Sequence, residues 1–445
     1  MSALEQMIPD GYKQTDVGVI PKDWKSDQLG NYVEICSGDS PSRFEFKPEG
    51  IPYFKVEQLN NHPVYAEATP YFIENSKVIS SGSVIFPKRG ASILSNKIRI
   101  LKKDSFMDTN LMTLTCSAML DGKYLYNQLT YLGLDSVADT TSIPQINNKH
   151  IIPFYIPVPT IEEQTAIANT LSDVDALLTE LEKLIAKKQA IKTATMQQLL
   201  TGKTRLPQFA TNTEGPDEDK RKGTKSSELG EIPEDWGVQT VYELAEGQKS
   251  LFDDGDWIEA EYITDKGVRL IQTGNIGVGS YQEKANKKYI SESSFIKLKC
   301  KELKQGDLLI CRLAEPAGRA CIFPDIGEEK IITSVDVTIF RPPVETVNRE
   351  YLLHYFSTNE WFSSVLEQVG GTTHKRISRG ALGRIRVPIP KLAEQTAIAT
   401  ILSDMDNEIQ TLEQRLTKTR QIKQGMMQQL LTGRTRLPFK QAEEA

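Results

Sequence analysis

The segment EQTAIANTLSDVDALLTELEKLIAKKQAIKTATMQQLLTGKTRLP, residues 163–207, returns as EQTAIATILSDMDNEIQTLEQRLTKTRQIKQGMMQQLLTGRTRLP at residues 394–438. The offset is 231 without a gap, and 26 of the 45 positions are identical. Self-similarity of this kind marks a duplicated structural unit. Fainter copies surround it. Gly18, Ile20, Pro21, Asp23 and Trp24 match Gly230, Ile232, Pro233, Asp235 and Trp236 at an offset of 212. GIPYFKVEQL at 50–59 resembles GVRLIQTGNI at 267–276, offset 217, and GSVIF at 82–86 resembles GDLLI at 306–310, offset 224. PVP (Pro157 to Pro159) precedes the first long segment and PIP (Pro388 to Pro390) the second. Offsets that grow along the chain fit one duplication followed by small insertions in the second copy.

The pattern divides the chain into an N-terminal segment (1–24), a globular segment (25–158), a long helix (159–207), a linker (208–227), a second globular segment (228–389), a second long helix (390–438) and a tail (439–445). TNTEGPDEDKRKGTKSS, residues 211–227, is polar, contains Gly and Pro and lacks apolar periodicity, so it reads as flexible.

Within the first long segment, Ile167, Leu171, Val174, Leu178, Leu181 and Ile185 recur in steps of four and three. In the second, Ile398, Leu402, Met405, Ile409, Leu412 and Leu416 keep the same steps. This is the a/d seam that lets one helix pack along another. Thr160 and Glu163 form a candidate capping box, Lys391 offers no equivalent cap in the second copy, and Gly202 and Gly433 suit the helix stops. Lys188 and Thr419 interrupt the seam, so the pairing is expected to loosen there. A helix from 160 to 201 would be about 60 Å long, too long to hide its stripe within one globular segment. The expected solution is antiparallel packing of the two copies on each other. That would give a pseudo-two-fold molecule with the globular segments at opposite ends.

The 445 residues carry a net charge of -6 with a pI near 5.6, which does not favour a nucleic-acid binder unless the basic residues are concentrated locally. They are. Residues 83–100 hold Lys88, Arg89, Lys97 and Arg99 without an acid; residues 371–386 hold Lys375, Arg376, Arg379, Arg384 and Arg386, again without an acid; Lys284, Lys287 and Lys288 form a third group. Cations supply phosphate contact, and Asn, Gln and Arg in the same loops can read base edges. The candidates for DNA contact are therefore Lys88, Arg89, Asn96, Lys97, Arg99, Gln145, Asn147, Asn148 and Lys149 in the first globular segment. In the second they are Lys287, Lys288, Arg312, Arg319, Lys375, Arg376 and Arg379. Short β-like runs (YFKVEQL, SVIFPK, IRILKK, RLIQTGNI, DLLICRL, IITSVDVTIF) and helical stretches at 121–135 and 349–368 give these segments an α+β character.

Three motifs now stand together: G-x-I-P-x-D-W at Gly18 to Trp24 and Gly230 to Trp236, P-x-P-x-x-x-E-Q-x-x-I at Pro157 to Ile167 and Pro388 to Ile398, and Q-Q-L-L-T-G-x-T-R-L-P at Gln197 to Pro207 and Gln428 to Pro438. This pattern resembles the specificity subunits of type I restriction–modification systems and covers nearly the whole chain. The resemblance implies an α+β fold: two α/β target recognition domains joined by two long antiparallel coiled-coil helices. It implies that each domain binds one half of a bipartite, asymmetric site in double-stranded DNA. The helices would set the spacer and dock two modification subunits, with restriction/translocase subunits joining them. S-adenosylmethionine, ATP and Mg would belong to those partners, leaving this chain without cofactor, metal site or catalytic residues of its own.

Other readings are weaker. GKT at 202–204 lacks the glycine a phosphate loop requires, since Gln197 stands there. GNIGVGS at 274–280 lacks the spacing of a dinucleotide loop, and no Asn-Pro-Pro-Tyr-type motif of an adenine methyltransferase occurs. Four histidines and five scattered cysteines (Cys36, Cys116, Cys300, Cys311, Cys321) have no metal-ligand spacing. The start MSALEQMIPDGYKQT lacks the layout of a signal peptide and no run suits a membrane span, so the cytoplasm is the expected compartment.

Overall fold

Both duplicated segments are helices of 39 residues, Ile161–Leu199 and Leu392–Leu430. A computed structural model describes residues 8–74, 77–139, 143–212, 220–313, 315–370 and 375–438. The start of the 1–24 segment, the middle of the 208–227 linker and the 439–445 tail lie outside the described residues. The chain divides into two units, Met1–Leu184 with Leu412–Ala445, and Ile185–Thr411. Each unit thus draws on both long helices.

In the first unit the start of the first helix runs antiparallel to the end of the second. Lys423 donates to both oxygens of Asp175 at 2.6 and 2.8 Å, and Arg420 donates to Glu182 at 2.6 Å. In the second unit Lys188 lies 2.6 Å from Glu408, and Lys192 donates to Asp406. Asp175–Lys423 and Asp406–Lys192 are the same pair at the repeat offset of 231. Of the seam residues, Ile167, Leu171, Leu181, Ile185, Ile398, Leu402, Ile409 and Leu416 are buried, while Val174, Leu178, Met405 and Leu412 are half-buried. The expected loosening at Lys188 and Thr419 does not occur. Lys188 continues the pairing through its ion pair, and Thr419 is buried with its hydroxyl donating to the carbonyl of Arg415. A long amphipathic side chain can keep its stem in a seam and its charge at the rim.

What closes each unit is a buried carboxylate. Glu163 and Glu394 are nearly inaccessible to solvent. Trp24 donates its indole N–H to Glu163, and Trp236 donates to Glu394, both at 3.0 Å. Arg205 then grips Glu394 and Asp235 with both ends of its guanidinium, at 2.6–2.8 Å and 2.7–3.2 Å. Arg436 grips Glu163 and Asp23 in the same way. Although burial opposes its charge, hydrogen bonds from Arg205 and Lys222 hold the Asp235 carboxyl below its ordinary range. The neighbouring glutamines do the same work twice. Gln164 donates to the carbonyls of Met119 and Pro159 and accepts from Asp121, while Gln395 donates to those of Thr346 and Pro390 and accepts from Asn348. Glu163 is therefore only half of the expected capping box. Thr160 accepts from the Glu163 N–H at 3.4 Å, but the glutamate side chain turns to Trp24 and Arg436. The second helix starts without a side-chain cap, the Lys391 carbonyl accepting from the N–H groups of Glu394 and Gln395.

The helix stops fit this closure. Gly202 (φ 72°) and Gly433 (φ 69°) sit in the left-handed region. A Cβ would lie 2.4 Å from Pro233 at the first and 2.5 Å from Pro21 at the second, so only glycine fits. Leu199 and Leu200 enter a core with Trp236, Tyr351 and Leu402, and Met427, Leu430 and Leu431 enter one with Trp24, Tyr124 and Leu171.

The globular parts are built from sheets. In the first unit a five-stranded sheet runs in the order Val33–Ser37, Leu111–Cys116, Val84–Pro87, Arg99–Leu101, Tyr65–Ala66, beside a three-stranded one of Phe106–Met107, Ile51–Phe54 and Phe72–Ile73. In the second unit four strands run in the order Phe252–Asp254, Val337–Phe340, Leu308–Cys311, Ala320–Ile322. Four more run in the order Ile263–Thr264, Lys288–Ile290, Val268–Ile271, Ile331–Thr333. Part of the stretch read as a flexible linker is ordered: Thr224–Ser227 pairs with Gly230–Pro233, as Tyr12–Thr15 pairs with Gly18–Pro21. Each hairpin delivers its tryptophan to the closing glutamate. Cys36, Cys311 and Cys321 are buried, and burial pushes the Cys116 and Cys321 thiols up to about 12.

The helix carrying Tyr124 (Gly122–Leu132) and the one carrying Tyr351 (Arg349–Tyr355) occupy equivalent places, each tyrosine donating to a proline carbonyl, Pro157 or Pro388, at 3.0 Å. Three residues on, the first copy has Asn127 and the second His354. Burial, aided by the charge of Lys192 and opposed by Asp406, pushes the His354 imidazole down to about 4.

Two outcomes follow from this closure. Arg205→Ala should destabilise the second unit by about 3–5 kcal/mol in urea unfolding, because Glu394 is left buried without its counter-charge, and adding Glu394→Gln should restore part of the loss. A depressed histidine pKa costs nothing above pH 6.5 and costs stability as the unfolded chain gains a proton that the folded one refuses. The second unit should therefore lose up to roughly 3 kcal/mol between pH 6.5 and 4, and His354→Asn should flatten that decline in unfolding curves taken across the range.

Candidate nucleic-acid interface

A strand end and a returning loop bring most of the candidate residues together. In the first unit the strand Val84–Pro87 runs on into Lys88 and Arg89. The Lys88 N–H donates to the Asn110 carbonyl at 2.8 Å, and the Ile146 N–H donates to the Lys88 carbonyl at 2.9 Å. Asp139 and Gln145 exchange backbone hydrogen bonds, both 3.0 Å, and the short helix Asn148–Ile151 follows. Lys88, Arg89, Gln145, Asn147, Asn148 and Lys149 thereby share one edge of the domain.

The second unit repeats the frame. The Arg312 N–H donates to the Asp336 carbonyl at 2.8 Å, and the Ile377 N–H donates to the Arg312 carbonyl at 3.0 Å. Gly370 and Arg376 exchange backbone hydrogen bonds at 3.1 and 3.2 Å, and the helix Arg379–Arg384 follows. Position for position, Lys88 corresponds to Arg312, Asn110 to Asp336, Gln145 to Arg376 and Asn148 to Arg379. Gly38 and Gly255 also correspond: a Cβ on either would meet backbone carbonyl oxygens at 2.0–2.4 Å. Cys36 and Ser37 then stand where the second unit has Asp253 and Asp254.

The shared frame carries different electrostatics. In the second unit the cations come with counter-charges. Arg312 is buried, its Nε 3.1 Å from Asp254, and it donates to the carbonyls of Ile377 and Val335. Arg379 pairs with Asp253, which Lys301 also reaches, and Arg376 lies 2.9 Å from Asp336. Although burial works the other way, hydrogen bonds and charge from Lys301 and Arg379 hold the Asp253 carboxyl below its ordinary range. In the first unit Lys88, Arg89, Lys97 and Lys149 have no ion pair among the described residues. Burial and the adjacent Arg89 charge pull the Lys88 ammonium below its ordinary range.

Some candidates serve the fold instead. Asn96 donates to the Thr130 carbonyl and accepts from the Leu134 N–H, both at 3.0 Å, which stabilises its own left-handed backbone (φ 49°). Arg319 donates to four backbone carbonyls, those of Ile276, Leu313, Pro316 and Thr273. Arg312 is likewise an internal strut. Arg99 is half-buried and donates to the Ile98 carbonyl. Lys287 pairs with Glu283 at 3.7 Å, and Lys288 is half-buried on the strand Lys288–Ile290. Lys375 is exposed beside a groove of about 340 Å³ with Glu315, Pro316, Phe362 and Leu366, while residues 371–374 lie outside the described set. Sequence reasoning missed Asp253, Asp254 and Asp336 because they lie far from the basic run that they neutralise. The only signal for them was the frame itself, legible once the strands are paired.

Among the described residues no group of His, Cys, Asp or Glu is arranged to hold a metal ion, and no helix is long and apolar enough to cross a membrane.

Comparison with known proteins agrees with this duplication. The family model for the type I restriction modification DNA specificity domain matches twice, at residues 21–193 and 233–423. The type I restriction enzyme MjaVIII specificity subunit of Methanocaldococcus jannaschii is 27% identical over 428 residues, covering 94% of each chain. The crystal structure of the type I restriction-modification system S subunit from M. genitalium superposes with a TM-score of 0.55 at 16% identity, covering 94% of this chain and 97% of that one. A chain from work on complex assembly and conformational transition of the type I R-M system gives a TM-score of 0.53 at 16% identity, covering 94% and 99%. At that identity the two structures speak for the fold. With two matched segments spanning most of its length, this chain belongs to the type I restriction modification DNA specificity domain family.

Proposed function

We propose that the chain is the DNA-reading subunit of a type I restriction–modification assembly, each target recognition domain taking one half of a bipartite, asymmetric site. The observation that carries this reading is one loop frame built twice with unlike chemistry, uncompensated cations and amides in one copy and braced arginines in the other. A scaffold with two equal ends would have no use for that difference. The paired helices act as the ruler between the half-sites and dock two modification subunits, which bind S-adenosylmethionine and methylate adenine. Restriction subunits add ATP- and Mg-dependent translocation and cleavage, and this chain performs no chemistry itself. The deciding experiment is methylome sequencing of cells expressing the whole system. A bipartite motif with an unspecified spacer is expected, and a continuous motif, or none, would overturn the reading.

The two kinds of cation should separate in binding assays. Arg89→Ala and Lys149→Ala should each weaken DNA binding by the modification complex on all sequences alike. Each should also reduce the slope of log affinity against log salt by about 0.9 for every phosphate that is no longer neutralised. An unchanged slope would remove these residues from the interface.

A further inference from the structure

Resting on the reading that these loops face DNA, we propose that Gln145 and Arg376 are equivalent base-reading residues, the first matched to adenine and the second to guanine. Both stand at the same place in the frame, the residue that exchanges backbone hydrogen bonds with Asp139 or Gly370. Their backbones are fixed by that ladder, so only the side chain differs. The Gln145 side-chain amide has no hydrogen-bond partner among the described residues. Arg376 is 41% exposed at its side chain, against 3% for the buried strut Arg312.

The contact between Arg376 and Asp336 is made through Nε, 2.9 Å from Asp336 Oδ1. It fixes the guanidinium by charge and leaves both terminal nitrogens without a partner among the described residues. Two parallel N–H donors match the N7 and O6 acceptors that guanine presents in the major groove. A glutamine amide, one donor and one acceptor, matches adenine N7 and N6. The supporting position changes along with the reading position. Asp336 braces the arginine by charge, whereas its equivalent in the copy that carries the glutamine is the uncharged Asn110. That paired difference is what a base-specific role requires. A phosphate contact needs no brace, and a structural ion pair gains most by engaging the terminal nitrogens, which the contact with Asp336 does not use.

The test uses the complete modification complex. With the unaltered chain, methylome sequencing gives the two half-sites, and failure to obtain them counts against the functional reading rather than this one. Arg376→Gln should convert one guanine of one half-site to adenine, and Gln145→Arg should convert one adenine of the other half-site to guanine. Each change should leave the opposite half untouched. Unchanged base preferences at every position would overturn the proposal. Should Arg376→Gln silence methylation, the unaltered complex is assayed on duplexes carrying 7-deazaguanine at each guanine in turn. One position should lose roughly five- to tenfold in affinity. That sensitivity should vanish with Arg376→Ala, and no sensitive position, or one that survives the alanine variant, would overturn the proposal. Asp336→Asn, which leaves the donors in place but unbraced, should blur discrimination at that position without changing the preferred base.

Discussion

Everything in this fold turns on two glutamates held out of water. A buried carboxylate is costly unless its charge and lone pairs are met, and Glu163 and Glu394 are met completely, by an indole N–H from one side and a guanidinium fork from the other. The indole comes from the hairpin that opens a globular domain. The glutamate sits in the first turn of the helix that leaves it. The arginine follows the other long helix. Three distant parts of the chain are thereby fixed at one point, and the apolar contacts of Leu199, Leu200, Leu430 and Leu431 are placed as a consequence. The seam between the helices adds burial and the two Asp–Lys pairs set its register, but the forks decide which helix end meets which domain.

The domains in turn show how one backbone frame serves two chemistries. The strand end at Lys88 or Arg312, the returning loop and the short helix after it are hydrogen-bonded alike in both. What differs is where charge is left over. Arg312, Arg376 and Arg379 are offset by Asp254, Asp336 and Asp253, while Lys88, Arg89 and Lys149 at the matching edge of the first domain have no ion pair among the described residues. An acidic chain can therefore offer basic contact where it is needed and spend other basic residues as internal struts.

The helices, their seam and their antiparallel pairing were legible because a gapless repeat and a strict periodicity are local properties. The forks were half legible. Arg205, Arg436, Asp23, Asp235, Trp24 and Trp236 all lie in repeated motifs, yet pairing them requires knowing which helix end meets which domain, and no local pattern encodes that. Among the candidate contacts, charge alone did not separate Arg319 or Arg312, whose guanidinium groups are held by backbone carbonyls, from Arg89 or Lys149, which have no ion pair among the described residues. The apparent gap in the seam at Lys188 arose because a seam reads as apolar from sequence, whereas its rim accepts a lysine with a carboxylate opposite.

One arrangement bears on how the protein is made. The second unit is continuous, Ile185–Thr411, and carries its own Arg205, so its closing fork is present as soon as that stretch has left the ribosome. The first unit is interrupted: Trp24 and Glu163 are synthesised early, but their arginine is residue 436. The domain made first is therefore the last to be finished, waiting with an unsatisfied carboxylate and an uncovered apolar face while its neighbour folds. The order of synthesis and the order of completion run in opposite directions, and a nascent chain stalled between Thr411 and Arg436 would carry one finished domain and one open one.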